Sequence, residues 1–396
     1  MPNLLSRIFS RANRTPVYLI IDAGTTNIKL FIIDNDLDIK YELKIKNSTS
    51  NPKPGWFEQN PTKIYFAVKD NLEKLNKNFN IVACGITNQR ETTILWDNKT
   101  GIAIYPAITW KDQRVKEDDL FFVKNYLRST NLKELTGLEL SPIYSAAKIR
   151  WILNNVEQAK RLLADGRLAF GTVNSWLIFN LSREQNHFTD HTNANHTLLY
   201  SLKDNYWSKN LLRIFGVDAS ILPQIKPNFY KFGHLQVENK EIPILVSIAD
   251  QQAGLYLAKN KKNINAKLTI GTGIFLDKFI GNKLNFKENL ETLIAYYQKE
   301  PQFMQEFRFN LNGADLMEAV RSEDEKVLSK FMRELKEKIH SLKVNELTID
   351  GGGMRPDELG NKLFENLQDL PIRVIRPDYF ESTALGVAEI LRNYFK

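Results

Sequence analysis

One pattern constrains this chain more than any other, and it occurs twice. Near the N-terminus the apolar run Tyr18-Leu19-Ile20-Ile21 ends at Asp22-Ala23-Gly24-Thr25-Thr26, and a second run, Lys29-Leu30-Phe31-Ile32-Ile33-Asp34, follows at once. Far downstream, Lys267-Leu268-Thr269-Ile270 passes through Gly271-Thr272-Gly273 into Ile274-Phe275-Leu276. Each reads as a β-hairpin with a Gly/Thr-rich turn. Further buried strands are predicted at Ile81–Ile86, Pro243–Ala249 and Leu347–Asp350, the last feeding Gly351-Gly352-Gly353. Between them the apolar spacing predicts helices over 61–78 (Ile64, Phe66, Val68, Leu72, Leu75), around 117–136, 145–164 and 208–215, from Gln252 onward, and over 382–394. Strands alternating with helices indicate an α/β protein. A Gly-Thr hairpin opening each half suggests an internal duplication.

A length of 396 residues allows two or three domains. With 43% hydrophobic and 25% charged residues, disorder and fibrous architectures are excluded. The single cysteine, Cys84, excludes an internal disulfide or a Cys-based zinc cage and fits a reducing compartment. No apolar run approaches the ~20 residues of a membrane span. The net charge of +8 raises nucleic acid as a partner. However, Arg7, Arg11 and Arg14 sit in residues 1–16, a segment without acids, and the rest is spread over mixed surfaces with no RNP, zinc-finger or Arg-rich stripe. No nucleic-acid partner is expected; a mildly basic surface also suits a protein that handles phosphates. The tail reads as a disordered extension or, with Leu4, Leu5, Ile8 and Phe9 among its arginines, as an amphipathic targeting or docking segment. A cytoplasmic location is expected.

The turns carry chemistry. Gly24 lets backbone approach a phosphate, while turn N–H groups and the Thr25 and Thr26 hydroxyls can donate to its oxygens. Asp22 at the strand end could hold a hydrated Mg²⁺, and Lys29 could reach a phosphate as a point charge. A plain glycine hairpin is the alternative for either turn alone. Three glycine-rich strand ends in order favour a nucleotide. Neither Gly-x-x-x-x-Gly-Lys-Ser/Thr nor a well-placed Gly-x-Gly-x-x-Gly is present. Asp250 closes an apolar strand, where a carboxylate can take the proton of an attacking hydroxyl; a helix N-cap is its structural alternative. Arg90 and Glu91, adjacent at another strand end, supply the donor and acceptor that a polyol needs, or form a solvated surface pair.

Longer segments point to a family. Gly85-Ile86-Thr87-Asn88-Gln89-Arg90-Glu91-Thr92-Thr93-Ile94, Gly55-Trp56-Phe57-Glu58-Gln59-Asn60-Pro61, Phe170–Ile178, Thr189-Asp190-His191-Thr192-Asn193-Ala194 and Ala249-Asp250-Gln251-Gln252-Ala253 resemble the FGGY carbohydrate kinases, the glycerol kinase branch in particular. The resemblance implies two actin-like, ribonuclease H-like domains around a cleft that takes ATP-Mg²⁺ and a polyol. It divides the chain into a basic tail (1–16), a polyol and phosphate domain (17–253) and a shortened nucleotide domain (254–396). It implies that Arg90, Glu91, Asp250 and Gln251 bind glycerol hydroxyls, that Asp250 is the general base, and that Trp110 and Phe275 wall the glycerol carbons. Thr25, Thr26 and Lys29 match one phosphate loop, with lysine where the family usually has arginine. Gly271, Thr272 and Gly352 match nucleotide positions. The family's glycerol-contacting tyrosine falls on Ile143, with Tyr144 one place later. Its nucleotide-binding Gly and Gln fall on Ala319 and Glu323, and its final Asn is displaced to Asn361. The implied activity is ATP-dependent phosphorylation of glycerol to sn-glycerol 3-phosphate. The shortened second domain keeps a non-catalytic, kinase-like sensor as an alternative, and Ile143 keeps a kinase for another short polyol or ketose. Self-association into a homo-oligomer is left open.

Overall fold

The computed structural model describes residues 15–127, 131–237, 240–377 and 380–395; most of the basic tail lies outside them. The chain forms two compact units. One holds the described residues up to Asp250 together with those from Val387 on, and the other is Gln251–Gly386.

The first unit is built on a six-stranded sheet. Its strands are β1 (Pro16–Ala23), β2 (Asn27–Asp34), β3 (Ile39–Lys46), β4 (Asn80–Asn88), β5 (Phe229–Val237) and β6 (Lys240–Ala249), in the spatial order β5-β6-β4-β1-β2-β3. β1, β4 and β6 run parallel; the other neighbours are antiparallel. β1 is buried along almost its whole length, as expected of a central strand covered on both faces. β3 alternates exposed and half-buried positions and carries Lys40, Lys44 and Lys46, charges that blunt a sheet edge. Helix α1 (Pro61–Asn78) starts where the Asn60 side chain accepts from the Lys63 N–H, with proline at its first position. Its buried stripe of Ile64, Val68, Leu72 and Leu75 joins Leu19, Ile21, Leu30 and Ile86 in one core, whereas Phe66, expected on that stripe, is two positions from Ile64 and Val68, falls off the helical spacing and is exposed.

The second unit repeats the plan. β7 (Ala266–Ile270) and β8 (Ile274–Gly281) form the hairpin, β9 (Glu291–Tyr297) and β10 (Pro301–Arg308) extend it, and β11 (Glu346–Asp350) and β12 (Arg373–Ile375) run parallel to β7. The order is β9-β10-β8-β7-β11-β12. In both sheets the opening hairpin flanks a parallel strand reached by a crossover, which is the internal duplication expected from the two Gly-Thr turns. A separate core gathers Leu268, Ile270, Leu316, Phe331, Leu335 and Leu347.

Three predicted helices differ in extent. The helix around 117–136 is a short 3₁₀ turn and the helix Phe121–Tyr126, with a separate turn, Leu132–Thr136, opened by Asn131 and closed by Gly137 at φ 79°. The helix over 145–164 breaks at Val156, which is extended (φ −113°, ψ 106°), giving α2 (Ser145–Asn155) and Glu157–Ala164. The helix expected from Gln252 begins at Asp250, as α3 (Asp250–Lys262). The closing helix α4 (Ser382–Phe395) packs its last residues into the first unit. A methyl group added to Gly85 on β4 would meet Val387 Cγ1 at 2.3 Å, and Tyr394 stacks on Phe229 of β5 at 4.0 Å.

Candidate functional site

The parallel strands of the first unit bring the expected acceptor residues to one edge. Ala23, Asn88 and Ala249 lie in register across β1, β4 and β6. Each strand therefore ends at the same level: β1 at the Gly24 turn, β4 at Gln89-Arg90-Glu91, and β6 at Asp250. This is the carboxyl edge at which α/β sheets present ligand groups. The Asp250 carboxylate is 29% exposed, and Arg90 Nε stands 3.8 Å from it. Arg90 and Glu91 are themselves buried, so the solvated-surface alternative for this pair is excluded.

A hub that the sequence did not reveal ties these strand ends together. Asp190, fully buried, caps the short helix His191–Asn195. One carboxylate oxygen accepts from Thr192 N (2.8 Å), Asn193 N (3.0 Å), Asn228 Nδ2 (3.1 Å) and the Thr192 hydroxyl. The other accepts from Ser247 Oγ (2.7 Å), Asn193 Nδ2 (2.8 Å) and Asn174 Nδ2 (2.9 Å). Burial pushes the Asp190 carboxyl above its ordinary pKa, and these donors pull it back. From the hub, Thr192 Oγ1 receives Ala249 N–H (2.9 Å) beside Asp250, and Asn193 exchanges amide hydrogen bonds with Asn88 (2.9 and 3.2 Å) beside Arg90.

Glu91 has a left-handed backbone (φ 63°), unusual for a residue with a side chain and a form of strain that clusters at functional sites. Its carbonyl accepts from the buried Lys148 Nζ (3.1 Å), Thr93 Oγ1 (3.2 Å) and Ser145 Oγ (3.4 Å). The same ammonium holds the Ile143 carbonyl at 2.6 Å. Lys148 thus pins both the strained corner and the loop of Ile143. Tyr144 is buried immediately before α2.

The Gly24 turn is held by its carbonyls. Asn47 Nδ2 donates to Gly24 O (2.9 Å), Gln59 Nε2 to Thr25 O (2.7 Å) and Asn47 N to Thr26 O (2.9 Å). Drawing three successive carbonyls back favours an approach of anions to the turn's N–H groups. Trp110, expected against the acceptor carbons, donates its Nε1–H to Thr25 Oγ1 at 2.9 Å, which brings the wall and the turn together. Asp22 pairs across the hairpin with Lys29. Among the described residues no group of three or more His, Cys, Asp or Glu side chains could hold a metal by itself. A half-buried carboxylate at a strand end, as Asp22 is, fits Mg²⁺, which keeps its waters and takes other ligands from phosphates.

In the second unit Gln251 Oε1 accepts from Lys267 Nζ and Thr269 Oγ1, both at 2.8 Å. Lys267, buried on β7, also faces Asp277 at 3.3 Å. Gln251 is therefore fixed with its carbonyl toward the ammonium. Phe275 is buried under the Arg308 guanidinium, 5.3 Å from its ring centroid. Gly271 N bonds Gly273 O (3.0 Å) to close the turn, and Thr272 is half-exposed. Helix Gly313–Ser322 sits so close to this turn that a methyl on Gly313 would lie 1.9 Å from Gly271 O. Gly351 (φ 99°) packs on the Ile270 carbonyl, while Gly352 is exposed with open space around it. Ala319 is buried, Glu323 ion-pairs with Lys362, and Asn361 accepts from Arg376.

Residues 17–256 match the family model for the FGGY family of carbohydrate kinases, N-terminal domain. The chain belongs to this family. Glycerol kinase 2 of Sulfolobus acidocaldarius is 37% identical over 286 residues, covering 70% of this chain and 56% of that relative. The chain thus spans little more than half of that protein's length. A glycerol kinase of Saccharolobus islandicus is 31% identical over 441 residues, covering 93% of this chain and 86% of its own. The crystal structure of Plasmodium falciparum glycerol kinase with ADP superposes with a TM-score of 0.83 at 26% identity, over 96% of this chain and 90% of that one. Two sheets of one plan are what the family's ribonuclease H-like domains require. No helix of the described residues is long and apolar enough to cross a membrane.

Proposed function

We propose that this chain transfers the γ-phosphoryl group of ATP to a primary hydroxyl of glycerol, giving sn-glycerol 3-phosphate and ADP. The observation that carries the proposal is Asp250: a partly exposed carboxylate at a strand end, 3.8 Å from a buried guanidinium whose neighbour in sequence is a buried carboxylate. The relatives named as glycerol kinases support the choice of acceptor. In this reading Arg90 donates to one hydroxyl of the acceptor and Glu91 accepts from another. Gln251 adds a polar contact, and Trp110, Phe275 and Tyr144 bound the carbons. Asp250 takes the proton of the attacking glycerol hydroxyl; the hydroxyl oxygen forms a bond to the γ-phosphorus as the bond to the β-phosphate oxygen breaks and ADP leaves. Thr25, Thr26 and Lys29 receive phosphate oxygens, and Gly271, Thr272 and Gly352 receive the nucleotide. Asp22 would hold Mg²⁺ through water, and the ion would offset charge on the phosphates. Residues 17–253 serve the acceptor and phosphates and 254–396 the nucleotide. A cytoplasmic location suits an ATP consumer whose one thiol, Cys84, is buried with its pKa pushed up.

The test is a coupled ADP-release assay across glycerol, dihydroxyacetone and several pentuloses. Glycerol is expected to give the highest kcat/KM, and Asp250→Asn to lower kcat by about 10²- to 10⁴-fold with ATP binding retained. No ADP release with any acceptor, alongside normal ATP binding, would favour the sensor reading. Undiminished turnover by Asp250→Asn would remove it as the base.

A further inference from the structure

A fully buried imidazole lies between the two side chains assigned to the acceptor's hydroxyls. His196 directly follows the helix capped by Asp190. Its Nε2 is 2.9 Å from Arg90 Nη1, and its Nδ1 lies 3.2 Å from Glu91 Oε1, a close polar approach that is not aligned as a hydrogen bond. All three residues are buried.

The donor and acceptor inventory fixes the state of this ring. Guanidinium nitrogens only donate, and an ionised carboxylate only accepts. The nitrogen facing Arg90 must therefore carry the lone pair, which in a neutral ring leaves the proton on Nδ1, the nitrogen that stands near Glu91. The opposite tautomer would set N–H against N–H on one side and lone pair against carboxylate on the other. A doubly protonated ring would oppose Arg90. A lysine or arginine in this place could only donate and an aspartate or glutamate only accept. Besides imidazole, an uncharged amide can accept from Arg90 and turn an N–H toward Glu91.

Other parts of the corner are held by other groups. The Glu91 backbone is held by Lys148, Ser145 and Thr93, and Arg90 Nε faces Asp250. Those contacts fix the main chain and one edge of the guanidinium. His196 lies against both charged heads, and in this reading it sets the angle between them.

We propose that His196 is a positioning residue, holding Arg90 and Glu91 as a rigid donor–acceptor pair matched to two neighbouring hydroxyls of the acceptor. It meets no reacting atom. The proposal rests on the assignment of Arg90 and Glu91 made above, and it reaches beyond it by naming the group that makes the pair selective for a vicinal diol.

The test compares His196→Ala and His196→Gln in the full chain by coupled ADP release. His196→Ala is expected to raise KM for glycerol about 10- to 100-fold, the loss that follows removal of a buried hydrogen bond to a charged group. The kcat and the KM for ATP should stay near wild type, and discrimination of glycerol from propane-1,3-diol should fall. His196→Gln should restore KM and discrimination. If Gln and Ala behave alike, or if kcat falls with KM unchanged, the positioning role is wrong. A wild-type chain that turns over no acceptor would defeat the proposed function instead. His196 is then judged by ¹⁵N-histidine NMR at neutral pH, where five histidines give five ring pairs. The pair lost in His196→Gln should show a bare Nε2 and a protonated Nδ1; the reverse tautomer overturns the proposal whatever the activity.

Discussion

Replacing Asp190 by asparagine changes one oxygen into an NH₂ group and leaves the shape of the hub intact. If the NH₂ takes the place of the oxygen that faces Ser247, Asn193 and Asn174, it meets three donors. The serine hydroxyl can turn and accept. The two amides stay opposed unless they turn, and turning Asn193 breaks its paired bonds to Asn88. If the NH₂ takes the other place, it meets two backbone N–H groups that cannot turn. Two buried donors without acceptors, at about 1–3 kcal/mol each, give a loss of about 2–6 kcal/mol. For a unit of this size that is a fall in Tm of about 5–20 °C. Thermal melts followed by far-UV circular dichroism would read it on the transition of the first unit. Because the hub holds Ala249 N and Asn88, kcat should fall along with Tm. A variant that melts within about 2 °C of wild type would refute the reasoning. It would mean that burial has won over the seven donors and that Asp190 is already a neutral acid.

Two further outcomes follow from the structure. Burial lowers His187 and His191 to a pKa of about 4, against ~6.5 in an unfolded chain. The folded form thus binds fewer protons, so this stabilisation is whole above pH 6.5 and is lost as pH falls toward about 4. Tm of the first unit should fall across that window, and less steeply in His191→Gln; equal slopes would show that His191 does not titrate there. In the second unit, Gly313→Ala puts a methyl 1.9 Å from Gly271 O, so it should raise KM for ATP while leaving KM for glycerol near wild type. An unchanged KM for ATP would separate the Gly271 turn from the nucleotide.

Much of this organisation was legible in the sequence because its signals are local. A Gly-Thr turn between apolar runs, or Ile64, Val68, Leu72 and Leu75 at helical spacing behind Asn60-Pro61, carries its own geometry. Asp250 and the Arg90-Glu91 pair were visible for the same reason, as polar residues where an apolar strand stops. The break at Val156 was not, since apolar spacing continues across it and only backbone conformation interrupts it. The supports of the site escaped for another reason. Asn88 and Asn193 are 105 positions apart, and Lys148 reaches Glu91 across 57. Uncharged amides and a lysine on an amphipathic helix have no spacing that announces a partner. Only the fold shows that Lys148 and Lys267 are buried donors rather than surface charges.

The closing helix has a consequence for how the protein is made. Val387 fills the space over Gly85, and Tyr394 stacks on Phe229, so the first sheet is finished by residues synthesised after the whole second unit. Domains ordinarily fold in order as they leave the ribosome. Here the N-terminal sheet must wait, part of its hydrophobic cover missing until α4 has emerged. A chain halted anywhere in the second unit carries a first unit that is complete in strands and incomplete in packing. Vectorial synthesis thereby couples the maturation of the first unit to completion of the second.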